Sequence, residues 1–328
     1  MLQTYDLRDM FQENFPIHTL TSYKIGGPAR YFFEAKTSDE LKKAVEEAKR
    51  RNLEFFVIGG GTNLIVSDEG FSGLILKPSL NFIKASGEEV SVGAGILMSA
   101  ILDFSIEHNL SGLEWAGGLP GSVGGAIRGN AGCFGGEIKD VVKSVKSLDT
   151  ETLREIERNF SDCDFSYRSS VFSARGGSAL GGKNSRIYNK EIILSAVFVL
   201  KKGDKKEIRK SINEKISYRK ERHPLEYPNA GSIFKNVDVN KITENQAMQF
   251  KKVIKLDPFP VVPTAYIISE AGLNGVSFGG AMISPKHPNF IVNALGAKAS
   301  DIKKLIALVK KEVKNKFGID LEEEVQML

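Results

Sequence analysis

Cysteine, histidine and long apolar runs are scarce in this chain, and each scarcity excludes something. Its 328 residues hold two cysteines, Cys133 and Cys163. Two thiols build neither a disulfide framework nor a thiolate metal cluster. The four histidines, His18, His108, His223 and His287, fall at no metal-ligand spacing, so no metal is expected. No apolar stretch approaches the roughly twenty residues that cross a bilayer, so no membrane insertion is expected. The opening MLQTYDLRDMFQENF lacks the basic-then-apolar order of a secretory signal. These traits predict a cytoplasmic, reduced protein. Charge of one sign is not in large excess either: 45 Lys+Arg against 40 Asp+Glu give a formal net charge of +5. The densest basic run, Lys201 to Lys206, reads as the opening of a solvated helix, and no nucleic-acid partner is expected. A mild positive field still favours small anionic ligands.

Glycine is what the chain has in plenty, and it falls in two clusters. The first is Gly59-Gly60-Gly61-Thr62-Asn63, followed by Asp68 and Gly70. The second, GGLPGSVGGAIRGNAGCFGG from Gly117 to Gly136, has nine glycines in twenty residues. Glycine loses the most backbone freedom on folding, so such a segment makes a poor core helix or strand. It suits places where main chain must come close to something or run with φ > 0. Bare main-chain N–H groups form concave anion sites, which suit a diphosphate. The composition therefore predicts a phosphate-bearing cofactor gripped by main chain rather than by a lysine.

The length admits two or three domains. Tyr31-Phe32-Phe33 reads as a strand. Thr37-Ser38-Asp39-Glu40 is a capping box, and Leu41, Ala44, Val45 and Ala48 then recur at helical spacing. A strand over 55–58 runs into the triple glycine. Leu64 stands where a dinucleotide fingerprint needs glycine, which disfavours a standard Rossmann site. Short strands are expected over 73–92, a helix over 96–108, and strands over 141–148 and 191–200. A helix carrying Ile208, Ile212 and Ile216 leads to a domain boundary near 215–225. Helical patterns follow around 245–253 and 264–270, with a strand over 290–293. A long helix starts at Ser300 and stops at Gly318, and a strand over 319–327 ends the pattern. The stretch 177–184 nearly spells a phosphate-binding P-loop, but Asn184 replaces the Ser/Thr that would hold Mg²⁺. It reads as a loop instead.

Seven motifs stand in one order: YKIGGPA (23–29), GGGTNLIVSDEG (59–70), GLEWAGGLPGSVGGAIRGNAG (112–132), SYRSSVF (166–172), NAGSIFKN (229–236), HPNFIVN (287–293) and LEEEV (321–325). Together they resemble the UDP-N-acetylenolpyruvoylglucosamine reductase family, over nearly the whole chain. The resemblance implies an α+β protein with an FAD-binding fold of the vanillyl-alcohol-oxidase type. That part would span 1–215 in two lobes, about 1–80 and 81–215. A smaller α/β substrate domain would span 216–318, with 319–328 returning to the active site as a strand. The compact spacing from Arg168 to Ser232, with 175–186 as an insertion, resembles the branch without an extra tyrosine-bearing loop.

The resemblance further implies FAD, with NADPH as co-substrate and a UDP-sugar as acceptor. Gly59, Gly60, Gly61, Thr62, Asn63, Gly117, Gly118, Pro120, Gly121, Ser122, Gly124, Gly125, Asn130 and Ala131 would contact FAD. Asn63 stands where relatives with covalent flavin often carry histidine, so the FAD is expected to be non-covalent. Arg168 would polarise the substrate carboxylate, Ser232 would protonate the enolate, and Glu324 would assist. Glu323 replaces a common proline, which leaves the inward acid of Glu322-Glu323-Glu324 open between Glu322 and Glu324, with register favouring Glu324. Tyr167, Arg222, Lys235, Asn236 and Asn289 would contact substrate, and Arg219 is a further candidate for the UDP diphosphate. A monomer is expected. On the residues alone, two other readings stay open: an alcohol oxidase on the same fold, and a nucleotide-sugar-binding module without turnover.

Overall fold

The structure is a computed structural model that describes residues 10–173, 190–257 and 259–328. The P-loop-like stretch 177–184 and the insertion 175–186 lie outside the described residues. Two units emerge. The first takes the chain up to Phe15, then Pro28–Gly60 and Phe71–Ser217; the second takes Pro16–Gly27, Gly61–Gly70 and Tyr218–Leu328.

In the first unit one sheet has the order β1 (Gln12–Pro16), β2 (Pro28–Ala35), β4 (Phe71–Pro78), β3 (Phe55–Val57). Both β2 and β3 pair with β4 in parallel. Helix α1 (Ser38–Arg50) connects β2 to β3, and its sequence accounts for both its ends and its face. The Thr37 hydroxyl accepts the Glu40 N–H at 3.1 Å. Glu40 itself reaches back to the Lys36 N–H at 2.7 Å, so the capping box is shifted by one residue from its usual reciprocal form. Leu41, Ala44, Val45 and Ala48 are buried in one cluster with Leu74 and Leu76 of β4. Burying one such leucine contributes about 1.5–3 kcal/mol.

A second, antiparallel sheet has the order β8 (Glu155–Asn159), β7 (Val142–Asp149), β9 (Glu191–Val199), β6 (Glu89–Gly93), β5 (Ile83–Ser86). Helices α2 (Met98–Glu107) and α3 (Val123–Arg128) pack into its core, and Ile208 and Ile212 of α4 (Lys205–Arg222) join them. The division between units falls inside α4.

The second unit is built around α5 (Glu244–Gln249), α6 (Thr264–Glu270), a three-stranded antiparallel sheet of β10 (Ser277–Phe278), β11 (Ala281–Ile283) and β12 (Ile291–Asn293), and α7 (Ala299–Phe317). Ile302, Ile306, Val309 and Val313 of α7 are buried at helical spacing, and Gly318 ends the helix with φ 70°. No helix among the described residues is long and apolar enough to cross a membrane.

Two segments depart from the expected boundaries. Residues 16–27 and 61–70, read from sequence as part of the flavin portion, belong to the second unit. Tyr23 is fully buried there, and its hydroxyl donates to Ile291 O at 2.5 Å. The Asp68 carboxylate accepts the N–H groups of Ala299 at 2.6 Å and Ser300 at 3.0 Å, capping α7. Leu64–Ile65 pairs in parallel with Gln326–Met327. The strand expected over 319–327 shrinks accordingly to Gln326–Met327, with a single bridge between Glu323 and Phe234.

Candidate active site

In the first unit Gly59 and Gly60 meet the second glycine cluster main chain to main chain. Strand β3 delivers Gly59 and Gly60 to the turn at Gly121-Ser122. A Cβ on Gly59 would lie 2.7 Å from Ser122 Oγ, and one on Gly60 would lie 2.6 Å from Gly121 Cα. Gly118 and Gly121 have φ of 70° and 107°, which side-chain-bearing residues avoid. The second turn is stitched to the exit of β6: Met98 N–H donates to Gly121 O, Val123 N–H to Ile96 O, and Gly124 N–H to Ala94 O, at 2.8–3.0 Å. Ser122 accepts the Gly125 N–H at 3.3 Å.

In this unit the N–H groups of Gly60, Gly121 and Ser122 find no acceptor among the described residues. Side-chain-free approach and donors in hand fit a dinucleotide diphosphate, so these residues suit FAD. Other predicted contacts have different work. A Cβ on Gly117 would meet Ile212 O at 2.6 Å, and one on Gly124 would meet Ala94 Cβ at 2.9 Å; both glycines allow close packing. Pro120 is exposed at the turn. Asn130 is fully buried, donating to Ser166 O at 3.0 Å and Glu137 at 3.3 Å and accepting the Lys139 N–H at 3.1 Å. Ala131 bonds through its main chain to Ala126 and Ile138. Both brace their loop, so their polar groups are spent within the protein. Asn63, in the second unit, donates to Glu324 O at 3.1 Å and accepts the Gln326 N–H on its own carbonyl at 3.1 Å.

Arg168 lies at the tip of a turn closed by paired main-chain bonds between Ser166 and Ser169, both 3.0 Å. Its φ of 54° is a conformation that costs a non-glycine residue about 1 kcal/mol or more. The turn is held against the second glycine cluster. Arg168 Nη2 donates to Gly132 O at 2.9 Å, Ser170 Oγ to Arg128 O at 2.7 Å, and Asn130 to Ser166 O. The Arg168 guanidinium also lies 5.2 Å from the Tyr167 ring centroid. Geometry this constrained aims the guanidinium rather than leaving it to sample rotamers.

In the second unit, Gly231 has φ 77°, with open space where a Cβ would go. It turns the chain into Ser232. Asn229 shapes that turn: its Oδ1 accepts the Gly231 N–H at 2.9 Å, its amide donates to Tyr227 O at 2.8 Å, and its carbonyl accepts from Ser22 Oγ at 2.6 Å. The next residues zip onto the C-terminal segment. Glu324 N–H donates to Ile233 O at 2.8 Å and Lys235 N–H to Glu322 O at 2.9 Å. Ser232 and Glu324 are therefore brought into one backbone register.

The structure also sorts the three glutamates. Glu322 is exposed and pairs with Lys235 at 2.5 Å; Glu323 pairs with Lys310 at 2.9 Å. Each of these acids has its own lysine. Glu324 is half-buried, with both its N–H and its carbonyl fastened.

Three residues expected to contact substrate have partners within the protein. Asn289 is 3% exposed, and its carboxamide bonds the main chain of Phe234 in both directions. Asn236 Oδ1 accepts the Thr264 N–H at the start of α6 at 3.2 Å. Lys235 holds Glu322, and its carbonyl accepts from the Thr264 hydroxyl. Arg222, exposed at the end of α4, stacks over Tyr218 at 4.9 Å.

Sequence spacing hid one cluster. The rings of His223 and His287 come within 5.3 Å, edge to face, with Phe290 against both. Burial pushes His223 down to about 4, with His287, Arg219 and Lys286 adding to the effect. Burial likewise lowers His287, with Lys255 adding to it. Both rings are held towards the neutral form.

Two family models match the chain. Residues 29–152 match a family described as an FAD binding domain. Residues 223–328 match the UDP-N-acetylenolpyruvoylglucosamine reductase C-terminal domain. The chain is 40% identical to the UDP-N-acetylenolpyruvoylglucosamine reductase of Treponema denticola, covering 94% of this chain and 91% of that one. It is 39% identical to the same reductase of Carboxydothermus hydrogenoformans, covering 96% and 93%. The crystal structure of that reductase from Thermus caldophilus superposes with a TM-score of 0.72 at 27% identity, covering 97% of this chain and 99% of that one. The fold is thus α+β with an FAD-binding domain, and the chain belongs to the UDP-N-acetylenolpyruvoylglucosamine reductase family.

Proposed function

We infer that this chain reduces UDP-N-acetylglucosamine enolpyruvate to UDP-N-acetylmuramate for peptidoglycan precursor synthesis, with FAD as resident cofactor and NADPH as reductant. The supporting observation is the zipper that holds the Ser232 turn and Glu324 in one register, in a chain of this family. The chemistry supplied by bound FAD is a hydride relay from NADPH to the terminal alkene carbon. The main chain at Gly59-Gly60 and Gly121-Ser122 would hold its diphosphate, with no covalent link from Asn63.

The protein's own residues handle charge and a proton. Hydride arriving at the terminal carbon leaves negative charge on the adjacent carbon and its carboxylate. Arg168 takes that carboxylate with a planar fork, which matches it better than a point charge does. Ser232 Oγ gives its proton to the adjacent carbon and completes the reduction. A hydroxyl is a weak acid in water, but a carbanion-like acceptor needs only a placed, desolvated donor. Glu324 assists enolate formation, as the family resemblance implies. The family resemblance assigns Tyr167, Lys235 and Arg222 to the UDP-sugar. Charged nucleotides do not cross bilayers unaided, which places the enzyme with its substrates in the cytoplasm.

The test is anaerobic. Purified protein should be yellow, bleach with NADPH, and recolour when the enolpyruvyl sugar nucleotide is added. Protein that takes up no FAD on reconstitution, or bleaches without recolouring, overturns the reading.

A further inference from the structure

We propose that Asn289 is a positioning residue for the alkene reduction, acting through the main chain that carries Ser232 and fastens Glu324. This rests on the assignment of those two residues to the reaction. Asn289 is 3% exposed. Its Oδ1 accepts the Phe234 N–H at 3.0 Å, and its Nδ2 donates to Phe234 O at 2.8 Å. Its own carbonyl accepts the Ile233 N–H at 2.8 Å. Three bonds from one residue thus grip the two positions that follow Ser232. The grip passes onward: Ile233 O accepts N–H bonds from Glu324 at 2.8 Å and Val325 at 3.3 Å. Asn63 Nδ2 fastens the far side of Glu324 through its carbonyl at 3.1 Å.

The chemistry of the brace requires a carboxamide. Phe234 presents a donor and an acceptor on one edge, and Asn is the short side chain that answers both. An aspartate there keeps the acceptor but sets a second oxygen against Phe234 O, leaving a buried carbonyl unpaired. A protonated aspartic acid supplies the missing donor again. Burial raises the pKa of such a carboxyl, so the defect is repaired as pH falls.

The experiment uses FAD-loaded Asn289→Asp enzyme beside wild type, Asn289→Leu and Ser232→Ala. Flavin bleaching by NADPH should stay within about two-fold of wild type, because the brace lies outside the dinucleotide cradle. Turnover of the enolpyruvyl sugar by Asn289→Asp should fall ~10²-fold at about pH 8, the scale of a misplaced reacting group, with its KM changed less than about three-fold. The ratio to wild type should recover at least ~10-fold by about pH 6 as the carboxyl gains its proton. Asn289→Leu should be slow at both pH values.

A raised KM with unchanged kcat would make Asn289 a substrate contact and overturn the proposal. Equal slowing of both half-reactions, or no recovery with pH, would also overturn it. If Ser232→Ala turns over normally, the underlying assignment fails; if Ser232→Ala is slow while Asn289→Asp is fast, only the brace fails. Should Asn289→Asp not fold, amide hydrogen exchange of the wild-type protein decides. The Phe234 and Glu324 N–H groups should be protected together, and solvent-like exchange at Phe234 would refute the grip.

Discussion

Gly60 and Gly121 belong to different turns, and no side-chain atom fits between them: a Cβ on Gly60 would sit 2.6 Å from Gly121 Cα. Gly60→Ala is therefore expected to push the turns apart, at ~1–3 kcal/mol for the overpacking. FAD retention after gel filtration, read as the flavin-to-protein absorbance ratio, should fall. Gly129→Ala is the control, because its Cβ would meet only Gly125 O at 3.7 Å. Equal flavin loss in both variants would contradict the cradle.

Ser232→Ala should separate the two halves of the reaction. Bleaching by NADPH should be nearly unchanged, while recolouring by the enolpyruvyl sugar should slow at least ~10²-fold, the scale of a lost proton donor. Stopped-flow absorbance measures both. Equal slowing would make the serine structural only.

Arg168→Lys keeps the charge but loses the fork and its bond to Gly132 O. Turnover of the enolpyruvyl sugar should drop ~10²-fold, as when one aimed donor to developing charge is removed. Bleaching by NADPH should be unaffected. A lysine enzyme with near-wild-type kcat would show that charge alone suffices.

Asp68 offers a pH test of stability. Burial pushes its carboxyl up, but the bonds from Ser300, through both main chain and side chain, and from the Ala299 main chain hold it below the usual value. A depressed folded value means that the stabilisation is present above the unfolded value, about 3.9, and fades as pH falls through the folded one. Asp68→Ala should cost roughly 0.5–1 kcal/mol near neutrality, the lower part of the capping range because the residue is exposed. The gap in melting temperature between wild type and Asp68→Ala should narrow on acidification. A gap that widens would reverse the sign of this linkage.

Much of the fold was legible in the sequence where local rules suffice. The spacing of Leu41, Ala44, Val45 and Ala48 marks α1, and Gly318 marks the end of α7. The proposed reactive residues Arg168, Ser232 and Glu324 stood out only through ordered motifs, since each alone is an ordinary surface residue type. The structure left the two glycine turns together, as their composition suggested. It gave Asn130, Asn236 and Asn289 partners within the protein that no motif showed, because an asparagine in a sequence shows its donors and acceptors but not what lies opposite them.

The amino-acid sequence by itself determined helix faces and stops, the positions that must be glycine, and family membership, all of which follow from neighbours a few residues apart or from motif order. Only the tertiary structure decided that residues 16–27 and 61–70 join the C-terminal unit, that Asp68 caps a helix 231 residues downstream, and that Asn289 grips the two residues after Ser232. Hydrogen-bond partners so distant in the chain are chosen by where the backbone returns in space. No local periodicity encodes that return; burial does, by requiring every polar group taken from water to find a partner.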